Sequence, residues 1–486
     1  MEPEVTIAQG RLRGRTDGNV TAFLGIPYAA APVGPARFAL PAPAAKWDGV
    51  RDATSFGPTA PQAPLPPPMD VIIGNPHIDG DDYLNLCVWT PDTGAAGLPV
   101  MVWIHGGGYH LGSNAMPGAN GTAFARDGIV LVSINYRLGV HGFAVLPDVP
   151  ANRGIRDQLA ALRWVQENIA AFGGDPANVT VFGESAGAMA TSTLLSLKAS
   201  DGLFHRVIAQ SGHGHLVGTY EDTHRMLAEL SGRLGSPATA ASLAKVDDTE
   251  ITAALDAILQ DLAADPDPAR WGRSITTWTL PFPPVVDDLI TDRPVDTVAA
   301  GGGQRVPLMI GTNTDEWRLF VVPSGIAASL TRETLDATAA QNGWDPAIVD
   351  HYATNRPEAR PGDLLAAILT DSYFRAPAVR LAADVHSATG LPTYVYEFGF
   401  GPDTVGAAHG REIGYVFDNL PPTAPEQARP VADAMHKAWI SFATNGNPGW
   451  QPYESTSRPI MLFDAPDSTL IHNPRADELA LWNSAL

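Results

Sequence analysis

A large, mostly parallel β-sheet covered by helices on both faces, the α/β class, is the architecture that this sequence of 486 residues predicts. Three observations predict it. Short continuous apolar runs recur along the chain, as strands buried on both faces require. Segments with helical spacing separate them, which is the pattern of a parallel sheet with crossover helices. One serine, Ser185, stands between two glycines where a β run gives way to an Ala-rich helical run. The length suits one large core with excursions, so a single domain over residues 1–486 is expected.

In chain order, Met1-Glu2-Pro3-Glu4 passes straight into strand-like Val5-Thr6-Ile7, with no basic segment followed by an apolar one, so no export signal is expected. Residues 57–80 are Pro-rich, with Pro64 and Pro66-Pro67-Pro68, which excludes regular structure and predicts a surface loop rimming a pocket. The single cysteine, Cys87, sits in the apolar run Leu84 to Trp89 and reads as a small buried residue. One cysteine allows no internal disulfide, which fits a cytoplasmic home. Strands are predicted at 100–105, 129–135, 178–182, 206–210, 307–311 and 393–398. A helix is predicted from about Arg156 to Phe172, with Leu159, Leu162, Trp164, Val165 and Ile169 on its apolar face, stopping at Gly173-Gly174. A second runs from about Ser185 to Leu197, and residues 220–278 read as an acidic, Ala-rich helical excursion from the sheet.

Composition excludes several partners. Lys plus Arg number 31 against 52 Asp plus Glu, and the net charge of −21 repels phosphate backbones and anionic lipid headgroups, so nucleic acid and membranes are not expected partners. The acidity reads as a solvated surface rather than as steering for cationic substrates. No stretch is apolar for long enough to span a bilayer.

The chemistry concentrates at Val179-Thr180-Val181-Phe182-Gly183-Glu184-Ser185-Ala186-Gly187. A serine on so sharp a strand-to-helix turn has its Oγ lifted clear of the sheet, and the flanking glycines let strand and helix pass closely. The helix that follows points its positive end at an anion forming beside the hydroxyl. Serine is a weak nucleophile at neutral pH, so it needs a base, an acid that orients the base, and donors for the oxyanion it creates. Trp103-Ile104-His105-Gly106-Gly107-Gly108-Tyr109 places three glycines directly after an apolar strand, where backbone NH groups can approach a substrate unobstructed. His213 and His215 are two apart in a glycine-rich turn, too sparse a set for zinc, and no metal or cofactor is expected.

With these motifs the chain resembles the type-B carboxylesterases, the carboxylesterase and cholinesterase family of the α/β-hydrolase fold. Further matches are Phe23-Leu24-Gly25-Ile26-Pro27-Tyr28-Ala29, Arg37-Phe38, Trp47-Asp48-Gly49, Asn135-Tyr136-Arg137-Leu138-Gly139, Ala171-Phe172-Gly173-Gly174-Asp175-Pro176 and Gln210-Ser211-Gly212, and they run on to Trp439 and Phe442. The resemblance implies an active-site gorge rimmed by loops and helical excursions, and a triad in the order Ser, Glu, His. Ser185 is then the nucleophile. Glu316, in Gly311-Thr312-Asn313-Thr314-Asp315-Glu316, is the acid, with Asp315 as a rival from the same loop. His409, in Gly406-Ala407-Ala408-His409-Gly410-Arg411-Glu412-Ile413, is the base.

The oxyanion donors implied are Gly107, Gly108 and Ala186. Glu184 resembles the family's buried second acid, with Ser211 as its hydrogen-bonding support, and the alternative is that Glu184 only packs against the elbow. Two structural pairs are also implied, Arg137 with Asp157 and Arg37 with Asp81. The chain departs from the family at Trp317, where glycine is usual, and at Asp81-Asp82-Tyr83, where glutamate and a disulfide cysteine are usual. The implied activity is hydrolysis of small or medium carboxylic esters, by a monomer or homodimer. Hydrolysis of amides or carbamates by the same machinery, and an inactive binding module of this fold, are the alternatives. Trp103, Tyr109, Phe282, Trp317 and Phe320 are candidate pocket aromatics, each equally at home in the core.

Overall fold

A computed structural model describes residues 2–65, 67 and 69–482. Pro66 and Pro68 of the Pro-rich stretch lie outside the described residues. In chain order the strands are β1 (Glu4–Ile7), β2 (Gly10–Arg13), β3 (Arg15–Asp17), β4 (Val20–Pro27), β5 (Val50–Asp52), β6 (Asn85–Thr90), β7 (Leu98–Ile104), β8 (Val130–Ile134), β9 (Gly174–Glu184), β10 (Arg206–Gln210), β11 (Leu308–Asn313), β12 (Thr393–Phe398), β13 (Pro459–Phe463) and β14 (Thr469–His472). Eleven of them form one sheet in the order β14-β13-β12-β11-β10-β9-β7-β8-β6-β4-β3, and β1, β2 and β5 form a small separate one.

The centre of the large sheet, from β8 to β13, is parallel throughout, while β3, β4, β6 and β14 pair antiparallel at its margins. Residues of β8, β11 and β12 are buried along their whole length, as a sheet covered on both faces requires. Two apolar cores lie on opposite sides: Val102, Val132 and Val181 point into one, and Met101, Leu131 and Phe182 into the other. Alternation along each strand produces that division. Cys87 is buried within β6, and burial pushes its thiol up to about 12.

The expected strands are present, 206–210 and 393–398 with the expected ends and the other four with shifted ones. The largest shift is in β9, which begins at Gly174 rather than 178 because Gly174 pairs with Leu98 of β7 ahead of a register shift. The predicted helix occupies Arg153–Asn168, tightens into a 3-10 turn over Ile169–Phe172, and stops at Gly173 with φ 86°. The next helix, Ala186–Ser196, is buried at every residue.

The described residues of 57–80 are irregular except for one helical turn, Met69–Ile73, which corrects the expectation of no regular structure. No proline falls between Met69 and Asn75, and that gap is long enough for one turn, closed by the Gly74 NH on the Asp70 carbonyl at 3.1 Å. Within 220–278 the chain forms the helices Tyr220–Leu234, Ala240–Leu243, Asp248–Ala264, Pro268–Trp271 and Arg273–Trp278. No helix among the described residues is long and apolar enough to cross a membrane.

Arg137 and Asp157 form a bidentate pair at 2.8 and 2.7 Å with both side chains fully buried. Arg37 does not pair with Asp81. It lies 3.2 Å from Asp248 and donates to the carbonyls of Leu243 and Val246, because the helical excursion folds over this part of the chain; Asp81 is exposed and its neighbour Asp82 pairs with Arg51. Removing one partner of the buried pair leaves an uncompensated charge in the core. Asp157→Ala is therefore expected to lower the free energy of unfolding by about 3–5 kcal/mol, read from guanidinium denaturation; an unchanged midpoint contradicts the assignment.

Candidate active site

Ser185 is held where β9 ends and the helix Ala186–Ser196 begins, with φ 55° and ψ −124°. A positive φ on a non-glycine residue costs free energy and persists only where its surroundings impose it. Here the Ser185 NH donates to the Gln210 carbonyl at the end of β10, at 2.9 Å. Gly187 is required beside it, since a Cβ there would lie 2.0 Å from the Ile104 carbonyl oxygen.

Three distant segments meet at this point. His409 Nε2 is 2.8 Å from Ser185 Oγ, and its Nδ1 is 2.6 Å from a Glu316 carboxylate oxygen. A carboxylate can only accept, so Nδ1 carries the proton and a neutral imidazole offers Nε2 to the serine hydroxyl. Glu316 is fully buried, and its other oxygen accepts from the Asn313 NH at 2.7 Å. The His409 NH donates to the Glu316 carbonyl at 3.2 Å, tying the loop after β12 to the loop after β11. Asp315 accepts from the Ala407 NH at 3.1 Å, so it pins the histidine loop and leaves the imidazole to Glu316.

Glu412, three residues beyond His409, is also buried. It accepts from Asn313 Nδ2 at 2.6 Å and from Gln210 Nε2 at 3.2 Å, and Asn313 donates in addition to the Ala408 carbonyl at 2.8 Å. Trp439 Nε1 closes the network on Gln210 at 3.0 Å. The spacing of Glu412 was visible in the sequence, but its bonding depends on two strands meeting and was not.

Glu184 is buried with one carboxylate oxygen 3.2 Å from His409 Nε2. Burial pushes its carboxyl well above the usual range, against the pull of His409. Burial alone would depress His409, but Glu184, Glu316 and Glu412 together hold it above the usual histidine value. Ser211 lies in a turn with φ 52° and its NH donates to the Gly311 carbonyl at 2.8 Å. Its buried hydroxyl has no hydrogen-bond partner among the described residues, so the expected bond in support of Glu184 is not made.

The glycine run packs directly on the elbow: a Cβ at Gly106 would lie 2.6 Å from Glu184 Oε2 and 3.1 Å from Ser185 Cβ. Gly107 and Gly108 have φ 103° and 58°, and the Gly107 carbonyl accepts from the NH groups of His110 and Leu111. Among the described residues, the NH groups of Gly107 and Gly108 donate to no backbone acceptor. Ala186 contributes the first NH of its helix.

Two of the candidate aromatics reach the site and three do not. Phe320 lies 5.6 Å from the His409 ring and Trp317 packs on Phe320 at 5.0 Å. Trp317 has φ −74°, so the backbone accepts a side chain where glycine is usual. Trp103 belongs to the core against Phe182 and Phe417, Tyr109 packs on Phe143, and Phe282 is buried in the core. Tyr373 and Phe374 were missed. They stand on a π-helical turn, Asp371–Arg375, which places Phe374 4.7 Å from His409 and Tyr373 4.7 Å from Trp317. The buried Asp371–Arg375 pair, at 2.6 and 2.7 Å, holds the turn. His213 faces the Tyr373 carbonyl at 2.9 Å and Trp278 at 5.0 Å, and among the described residues no three or more His, Cys, Asp or Glu side chains are grouped to hold a metal.

Comparison with known proteins places the chain among esterases in sequence and fold. The chain is 34% identical over 499 residues to the para-nitrobenzyl esterase of Bacillus subtilis, covering 98% of this chain and 97% of that one. It is 32% identical over 543 residues to the liver carboxylesterase of Sus scrofa, covering 100% and 93%. The crystal structure of the Geobacillus stearothermophilus carboxylesterase superposes with a TM-score of 0.85 at 35% identity, over 99% of this chain and 100% of that one. Residues 1–482 match the model of the carboxylesterase family, and with that match and these relatives the chain belongs to the carboxylesterase family.

Proposed function

We propose that this protein hydrolyses carboxylic esters of small or medium size through an acyl-enzyme on Ser185, with His409 as general base and acid, Glu316 as the orienting acid, and residues 1–486 forming one catalytic unit. The observation that carries the reading is the unbroken line from the Ser185 hydroxyl through the imidazole to the Glu316 carboxylate, at 2.8 and 2.6 Å. Ser185 Oγ attacks the ester carbonyl while Nε2 takes its proton, and Glu316 stabilises the imidazolium that forms. The negative oxygen then sits against the NH groups of Gly107, Gly108 and Ala186, at the positive end of the helix Ala186–Ser196. Loss of one such donor costs about 3 kcal/mol of transition-state stabilisation, roughly a hundredfold in rate. Nε2 returns the proton to the leaving alcohol. Water, deprotonated by the same nitrogen, releases the acid and restores Ser185.

Phe320, Phe374, Trp317 and Tyr373 form an aromatic wall beside His409 that suits acyl or alcohol groups of modest size. Turnover of p-nitrophenyl acetate, butyrate and octanoate by the native protein, compared with p-nitroacetanilide, tests the reading. Esters are expected to react orders of magnitude faster than the anilide; turnover of the anilide at the ester rate, or no ester turnover above buffer, contradicts it.

Glu184 sets the pH dependence. Only neutral His409 serves as base, and the neighbouring carboxylates favour its charged form, so kcat/KM rises with pH as the imidazole and Glu184 titrate together. Glu184→Gln removes a negative charge 3.2 Å from Nε2. The acid limb of the kcat/KM profile is expected to move down by about one pH unit; a limb that stays in place excludes Glu184 from this role.

A further inference from the structure

A cavity of about 220 Å³ opens between the Pro-rich loop, the residues that follow the glycine run, residues 138–141 and the helix Asp248–Ala264. Its walls are mainly apolar, with Leu65, Leu111, Leu138, Val140, Leu255 and Leu259 among them. Ser185, Glu316, His409 and the rings packed on His409 do not line it.

The few polar side chains in the lining share one property: their hydrogens are already committed. Gln62 donates to the carbonyls of Ala60 and Gly112, both at 3.0 Å, and its oxygen accepts from the Gly112 NH at 2.9 Å. The Thr252 hydroxyl donates to the Asp248 carbonyl at 2.9 Å. His110 Nδ1 lies 2.9 Å from the Gly108 carbonyl, an acceptor, so Nδ1 holds the proton there. His141 Nε2 donates to the Asp248 carboxylate at 2.7 Å, and Arg37 faces that same carboxylate at 3.2 Å. Burial holds both imidazoles below the usual histidine value, so each keeps one free lone pair.

Asp256 differs from Asp248. It accepts from Gln260 at 2.8 Å, and among the described residues no cation is paired with it. The lining therefore offers acceptors and one uncompensated negative charge, and no spare side-chain donor. An alcohol would bring one donor and no charge, and a carboxylate would be repelled. An ammonium group brings three donors and the compensating charge.

We propose that this cavity is a second ligand site, separate from the serine centre, which takes an aliphatic primary ammonium ion with its alkyl chain against the leucines and its nitrogen on Asp256. Burial of the chain supplies the apolar part of the affinity, and the carboxylate fixes orientation and charge selection.

Isothermal titration of the full-length protein with n-octylamine, 1-octanol and octanoate tests the proposal, with Asp256→Asn and Leu259→Trp as variants. Neither residue belongs to the ester-cleaving machinery, and retained p-nitrophenyl acetate turnover shows that the variants fold. Saturable binding of one n-octylamine is expected, weakened about tenfold by Asp256→Asn and abolished by Leu259→Trp, with 1-octanol at least tenfold weaker and octanoate undetectable. Should the tryptophan variant lose turnover, Leu259→Phe supplies the filled cavity. Absence of saturable n-octylamine binding, affinity unchanged by both substitutions, affinity unchanged by Asp256→Asn alone, or octanoate binding as tightly as the amine each overturns it. The titration does not depend on ester cleavage, so its failure and that of the esterase reading are separately visible.

Discussion

Ser185→Ala is expected to abolish ester turnover, with kcat falling on the order of 10⁵-fold or more while KM for p-nitrophenyl butyrate stays within a few fold. The expectation follows from where the serine sits. Its backbone is locked at φ 55° by a hydrogen bond from its NH to Gln210 and by the close passage of Gly187 across the end of β7, so alanine inherits the turn and only the hydroxyl is lost. The nearest hydroxyl on the adjoining strand end, that of Ser211, is buried without a partner. Residual turnover within tenfold of native would mean that water attacks directly or that another group forms the intermediate.

Glu316→Gln is expected to lower kcat about 10³–10⁴-fold with little change in stability. The glutamine is isosteric, but its amide nitrogen can face His409 Nδ1 and force the imidazole proton onto Nε2, where the serine needs a lone pair. The carboxylate that compensates the imidazolium is also lost. In the proposed triad serine, histidine and glutamate act as a unit, so the loss in Ser185→Ala/Glu316→Gln is expected to equal that in Ser185→Ala alone. Stopped-flow and steady-state measurements of both single variants and the double variant check this. Losses that multiply would place Glu316 outside the proton-handling line.

The parallel strands β7 to β12 were legible because most of their residues are buried on both faces and so read as continuous apolar runs, whereas β13, half-exposed at its middle, was not read as a strand. The margins were not legible either. β3 has three residues, all exposed, and β14 has four of mixed polarity, and neither length nor pattern distinguishes such segments from loops. The elbow and the glycine run were legible because close approach of backbones limits residue choice there, whereas the histidine loop was read from the family resemblance. Tyr373 and Phe374 were not legible, since one π-turn shifts the helical phase without leaving a mark in the sequence. The expected Arg37–Asp81 pair failed for a related reason: Asp248 reaches Arg37 only because a long excursion folds back over the sheet edge, and no local pattern encodes that return. Glu412 shows the same limit, with an obvious position and a bonding network that exists only once β10 and β11 are side by side.

The central claim is that Ser185 is made nucleophilic by His409. Peptide mass spectrometry after exposure to a fluorescent alkylphosphonate fluoride tests it most directly. One adduct per chain on Ser185 in the native protein, with labelling slowed at least a thousandfold in His409→Ala, is the predicted result. An adduct on any other residue, or labelling of Ser185 at the native rate without His409, would contradict it.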